Sequence, residues 1–177
     1  MQAASLVRFA AVIGLGGAVL AACAPAPAPG PIAPSGGLSS TFSAADFTWS
    51  EQMGAGVIEG RAAYSQDGRT WACAGSVGLT PETPYTRHRF LNLYGSLDRA
   101  ALPASEVRAR SVGEASADYR GYVRDTTCDD QGRFRFDGLP EGGWFIIAPV
   151  RTGSDEPVVL MRRVQTGARG TVNVILN

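Results

Sequence analysis

The sequence has 177 residues, with 45% hydrophobic and 18% charged content, which fits one folded domain with a core of ordinary size. Sixteen basic residues balance sixteen acids, so no basic surplus argues for nucleic acid or an anionic membrane surface. Every basic residue is arginine, and the absence of lysine excludes chemistry that needs a side-chain amine.

Residues 9–22 (FAAVIGLGGAVLAA) follow Arg8 and carry no charge. As a helix they would reach roughly 21 Å, short of the ~30 Å hydrocarbon core, so a cleaved export signal is expected rather than a membrane span. The segment ends in Leu20-Ala21-Ala22-Cys23, which resembles the lipobox of bacterial lipoproteins. That resemblance implies cleavage before Cys23, a diacylglyceryl group on its thiol and an acylated new amino terminus. Several acyl chains on one residue anchor stably, where a single chain would be marginal. Ala24 stands where an aspartate would imply inner-membrane retention, so the expected address is the periplasmic side of the outer membrane. Cleavage removes Arg8 and no acid, leaving fifteen arginines against sixteen acids and a net charge of −1.

Residues 24–34 (APAPAPGPIAP) hold five of the eleven prolines. Proline fixes φ and lacks a donor, so an extended, polyproline-like tether of about 34 Å is expected. Ser35–Ser40 (SGGLSS) reads as a joint. The chain thus divides into a signal peptide at 1–22, a lipidated tether at 23–40 and a domain at 41–177.

The domain reads as all-β. Ile58, Gly60, Ala62 and Tyr64 share one face and Glu59 and Arg61 the other, and Asp67-Gly68 is a hairpin signal. Trp71, Cys73, Val77 and Leu79 continue with period two. Further strands are expected at 86–94 (TRHRFLNLY) and 119–128 (YRGYVRDTTC). Phe134 and Phe136 oppose Arg133 and Arg135, while residues 143–149 (GWFIIAP) are apolar on both faces, as in a central strand. Residues 158–164 and 171–176 complete the pattern, and only 97–110 suggests a short helix, interrupted by Pro103. Seven or eight short strands predict a single β-sandwich. With Cys23 taking lipid, Cys73 and Cys128 remain in an oxidising compartment, and a disulfide between them is expected.

The segment Asp129–Ala148 (DDQGRFRFDGLPEGGWFIIA) carries Asp129, Gly132, Phe134, Phe136, Leu139, Pro140 and Gly142. It resembles the carboxypeptidase regulatory-like domain, a prealbumin-like sandwich akin to Cna-B modules, whose pattern is D-x-x-G-x-F-x-F-x-x-L-P-x-G. The resemblance implies a sandwich fold and is nearly silent about activity. Enzymatic relatives require residues this chain lacks. A hydroxyisourate hydrolase or an intradiol dioxygenase needs more than one histidine, and only His88 is present. A Cna-B crosslink needs lysine.

Other constellations are weak. Asp125, Asp129, Asp130 and Asp137 do not match an EF-hand loop and read as solvated turn residues. Arg87-His88-Arg89 reads as the polar face of a strand, and no serine stands in a nucleophile elbow. No metal or cofactor is expected. Trp71 and Trp144 sit in core-like strands, leaving Trp49 as the tryptophan available to stack on a ligand. The expected function is a non-enzymatic binding or structural module, lipid-anchored in the envelope, with a protein or glycan partner and no nucleic acid. A carbohydrate-binding module is the alternative, and a hydrolase with an unrecognised site is the rival of another class.

Overall fold

The computed structural model describes residues 37–110 and 117–177. The expected export signal, Cys23 and the tether as far as residue 36 lie outside the described residues. A 3-10 helix at Ala44–Glu51 leads into β1 (Ala55–Ala62). A ribbon of β2 (Ser65–Gln66) and β3 (Arg69–Thr70) comes next, then β4 (Ala72–Cys73) and β5 (Ser76–Pro81). Helix α1 (Pro84–Tyr94), β6 (Arg99–Pro103) and helix α2 (Ala104–Ala109) form the middle of the chain. A second 3-10 helix (Ala117–Tyr122) and β7 (Arg124–Thr127) precede four long strands. These are β8 (Arg133–Leu139), β9 (Gly142–Arg151), β10 (Val158–Thr166) and β11 (Arg169–Leu176).

The strands form a three-stranded sheet in the order β11-β1-β8 and a six-stranded sheet in the order β6-β10-β9-β5-β7. In the larger sheet, β4 pairs beside β5 on the same edge of β9. Strand β1 runs parallel to β11, with Ala55 opposite Arg169, and antiparallel to β8. Period-two patterning dictates what lies between the sheets. Ile58 of β1 and Phe134 and Phe136 of β8 meet Val77, Leu79, Trp144, Ile146 and Leu160 in one buried cluster. Arg133 and Arg135 point outward, as the alternation predicts.

The all-β expectation is corrected here: the fold is mixed α/β. Residues 86–94 lie in α1, not in a strand, because Thr83 and Thr86 form a reciprocal capping box with Pro84 in the first turn. Gly95, at φ 70°, ends the helix. The packing reason lies in β9. Its inner face supplies Trp144 and Ile146, while its outer face presents Phe145, which needs its own cover. Phe90 and Tyr94, one helical turn apart on α1, provide that cover together with Met161. The molecule therefore has three layers, helices on the large sheet and the large sheet on the small one. A single sandwich of seven or eight strands does not describe it; eleven strands occur among the described residues.

Two further segments differ from expectation. Residues 119–128 are shared between the second 3-10 helix and β7, with Tyr119 packed against Phe47 and Tyr85 in a separate aromatic cluster. Pro103 does not interrupt a helix; it ends β6 and stands at the N-cap of α2.

Candidate functional site

At one end of the molecule three local structures converge. The first is the β2–β3 ribbon, where Ser65 pairs with Thr70 across the Asp67-Gly68 turn. Both turn residues have positive φ, 51° and 73°, as the tight hairpin requires. The second is the disulfide between Cys73 and Cys128, whose Cα atoms are 6.2 Å apart. It ties β4 to the chain just beyond β7. The third is the turn from Asp129 to Arg133. The Asp129 Oδ1 accepts hydrogen bonds from the Gln131 and Arg133 amides at 2.9 and 2.8 Å, and Oδ2 accepts from Arg133 Nε at 2.7 Å. The Arg133 amide, followed by its guanidinium, holds the Asp129 carboxyl below its ordinary pKa. The aspartate is therefore a structural element of the turn, in keeping with its reading as a turn residue.

Between these structures lies a cleft of about 770 Å³, within the range of small-molecule sites. Tyr64 and Trp71 form one wall, with ring centroids 5.7 Å apart in an edge-on arrangement. The disulfide, Arg61, Asp129 and Asp130 complete the lining. Tyr64 is partly exposed, and its hydroxyl bonds Gln66 Oε1 at 3.1 Å. Trp71 is 9% exposed, and its Nε1 has no partner among the described residues. Aromatic rings beside carboxylate, guanidinium and hydroxyl groups suit an uncharged ligand with apolar faces and many hydroxyls.

Two more hollows adjoin the cleft. One, of about 870 Å³, extends over the outer face of the three-stranded sheet past Glu59, Arg135 and Asn173. The other, of about 290 Å³, lies between Trp71 and the ion pair of Arg69 with Asp155, which measures 2.6 Å.

Trp49, the tryptophan expected to stay free for a ligand, is not at this site. It is 6% exposed and packs edge-on against Trp144, with ring centroids 4.9 Å apart. The sequence missed this because the seat is a missing side chain: a Cβ on Gly142 would enter the Trp49 ring. The next residue repeats the device toward another neighbour, since a Cβ on Gly143 would collide with the Glu82 carboxylate. Glu82 is in turn held by Arg87 and by Arg163 Nε at 2.7 Å. Across Trp144, Arg124 lies 5.5 Å from the ring and donates to the Ser50 carbonyl at 2.7 Å. Burial lowers the Arg124 pKa.

The remaining candidates are dispersed. Arg87, His88 and Arg89 ride on α1, not on a strand: Arg87 pairs with Glu82, His88 lies 3.3 Å from Asn92, and Arg89 sits over the Tyr119 ring. Burial pushes the Tyr94 phenol up to about 12 and raises that of Tyr119 as well, so both stay protonated near neutrality. Asp137 is paired with Arg135. No group of three metal-ligating side chains occurs among the described residues. Trp71 belongs to the buried core cluster, as its core-like reading expected, and lines the cleft from there; sequence reasoning passed over Tyr64 and the pairing of the two rings. Their signal was available in two aromatics flanking an Asp-Gly hairpin six residues long.

No protein-family profile and no curated protein sequence matches the chain. The mixed α/β fold, with helices packed on the large sheet, corrects the carboxypeptidase regulatory-like resemblance, which implied a pure prealbumin-like sandwich. Among solved structures, the chain is similar to a Pseudomonas aeruginosa protein described provisionally as a carbohydrate-binding protein. The two share 20% identity, the match covers 76% of this chain and 97% of that one, and the TM-score is 0.53. At that identity the likeness establishes a shared fold.

Proposed function

We propose that the protein is a non-enzymatic carbohydrate-binding module that takes its ligand in the cleft beside Tyr64 and Trp71. The observation that carries the reading is the pairing of those rings with Arg61, Asp129 and Asp130 in one cleft. Aromatic edges and faces pack on the apolar side of a sugar ring, and the charged groups hydrogen-bond its hydroxyls. The shared fold with a protein provisionally described as carbohydrate-binding supports the same direction. Glycan-array screening of the intact protein tests it. Binding to at least one glycan class is expected, with Tyr64→Ala weakening it about tenfold, or about 1.4 kcal/mol. A blank array, or full binding by Tyr64→Ala, would defeat the proposal. Labelling of the protein by activity-based hydrolase probes would defeat its non-enzymatic part.

We further propose that lipid on Cys23 holds the module at the envelope, on the periplasmic side of the outer membrane. The Leu20-Ala21-Ala22-Cys23 sequence and the proline-rich segment after it support this reading. Growth with labelled palmitate is expected to label the wild type but not Cys23→Ser. Label persisting in that variant would overturn the anchor.

A further inference from the structure

Arg61, Cys128 and Asp129 line both the end cleft and the hollow on the outer face of the three-stranded sheet. The two hollows are therefore neighbouring stretches of one surface that bends around Arg61. On the other side, Trp71 is shared between the end cleft and the hollow walled by Arg69 and Asp155. Three hollows that share lining residues in series, at Arg61 and at Trp71, lie along one track over the surface. A site for a terminal sugar needs one bounded pocket. A track suits a chain that passes through.

The chemistry of the outer face narrows the kind of chain. Arg135 is held between Glu59 and Asp137, and Arg133 is held by Asp129. These pairs set guanidinium forks and carboxylates side by side on the exposed strand surface, where both donors and acceptors are at hand for a ligand. Their charges nearly cancel, because Arg61, Arg133 and Arg135 face Glu59, Asp129 and Asp137. No net field draws in a polyanion. Ile175, 60% exposed, adds an apolar surface on the same face.

Building on the carbohydrate reading above, we infer that the ligand is an extended, uncharged polysaccharide bound along its length. It runs from the β2–β3 ribbon, through the Tyr64–Trp71 cleft, onto the outer face of the three-stranded sheet. Affinity must then grow with oligomer length until the track is filled.

Titration calorimetry of the intact protein with α-1,4-glucose, β-1,4-glucose and β-1,4-N-acetylglucosamine oligomers, from disaccharide to octasaccharide, tests this. In the series that binds, octasaccharide affinity is expected to exceed disaccharide affinity by at least about tenfold. Asn173→Ala, an exposed change on the outer face, is expected to weaken the octasaccharide about fivefold more than the disaccharide. Affinity independent of length overturns the inference and leaves the carbohydrate reading standing, as does a polyuronate oligomer that binds more tightly than the neutral one of equal length. Equal losses at both lengths in Asn173→Ala overturn the path across the sheet. No binding in any series defeats the carbohydrate reading and this inference with it.

Discussion

Two edge-on aromatic pairs sit in different surroundings. Trp49 and Trp144 are sealed, with Arg124 near the Trp144 ring and Thr166 accepting from Trp144 Nε1 at 3.0 Å. Tyr64 and Trp71 stand at a cleft beside a hairpin, a disulfide and a charged turn. The rings are chemically alike, so aromatic content alone does not mark a ligand site. What separates them is the backbone beneath. Gly142 lets the first pair close completely, while in the second only Trp71 is buried and Tyr64 stays partly exposed beside the two-stranded ribbon. One pair serves the stability of the core alone, and the other joins a core residue, Trp71, to the partly exposed Tyr64 at the wall of the cleft.

Truncation should expose that contrast most sharply. Trp144→Ala removes a fully buried side chain and is expected to cost about 5 kcal/mol, the upper end for a core aromatic, as a fall in the urea midpoint. A loss near ~1 kcal/mol would mean the sealed pair is not a core pair at all. Next comes the bond at the open end. Replacing both Cys73 and Cys128 with alanine releases a loop of 55 residues, for an expected loss of about 4 kcal/mol in the chain-entropy model. The hollows on both sides of Cys128 should widen at the same time, read as faster amide exchange at residues 129–133. Tyr64→Ala should cost only about 1 kcal/mol, because its ring is partly exposed already. A loss comparable to that of Trp144→Ala would erase the distinction between the pairs.

The smallest effect concerns Asp129. Its folded-state pKa is depressed, so the stability it contributes is fully present above the unfolded value of ~3.9 and is lost as pH falls through the folded value. Carboxyl titration by NMR should give a midpoint below ~3.9. Arg133→Ala should raise that midpoint only part of the way, since the backbone amide of residue 133 still donates. A midpoint at or above the unfolded value would remove the turn from the account of the open end.

What the sequence made legible was local. Phe134 and Phe136 alternate with arginines, and the Asp129 turn satisfies its own backbone, so both could be read within ten residues. Helix α1 was also locally signalled, by Thr83-Pro84-Tyr85-Thr86 at its start and Gly95 at its end. The lack of a convincing 3.6-residue apolar period favoured a strand instead. The deciding fact was distant, since Phe145 on the outer face of β9 required a cover and Phe90 and Tyr94 met it. Strand β9, apolar on both faces, was itself the evidence that two layers must flank it. The fate of Trp49 could not be read from its neighbourhood, because its partner surface is a glycine more than ninety positions away. The candidate cleft was likewise hidden, since it forms only when Asp129 is brought beside Tyr64 and Trp71.

The parallel pairing of β1 with β11 sets an order of assembly. Its partners lie more than a hundred positions apart, so the small sheet cannot close until almost the whole domain is available. During vectorial synthesis or export, β1 waits with one edge bare, a template for pairing with another copy. Contacts of such long separation also place the domain among slow folders, in the range of milliseconds to seconds. An eight-residue strand made early thus keeps a free edge until the last strand of the domain arrives.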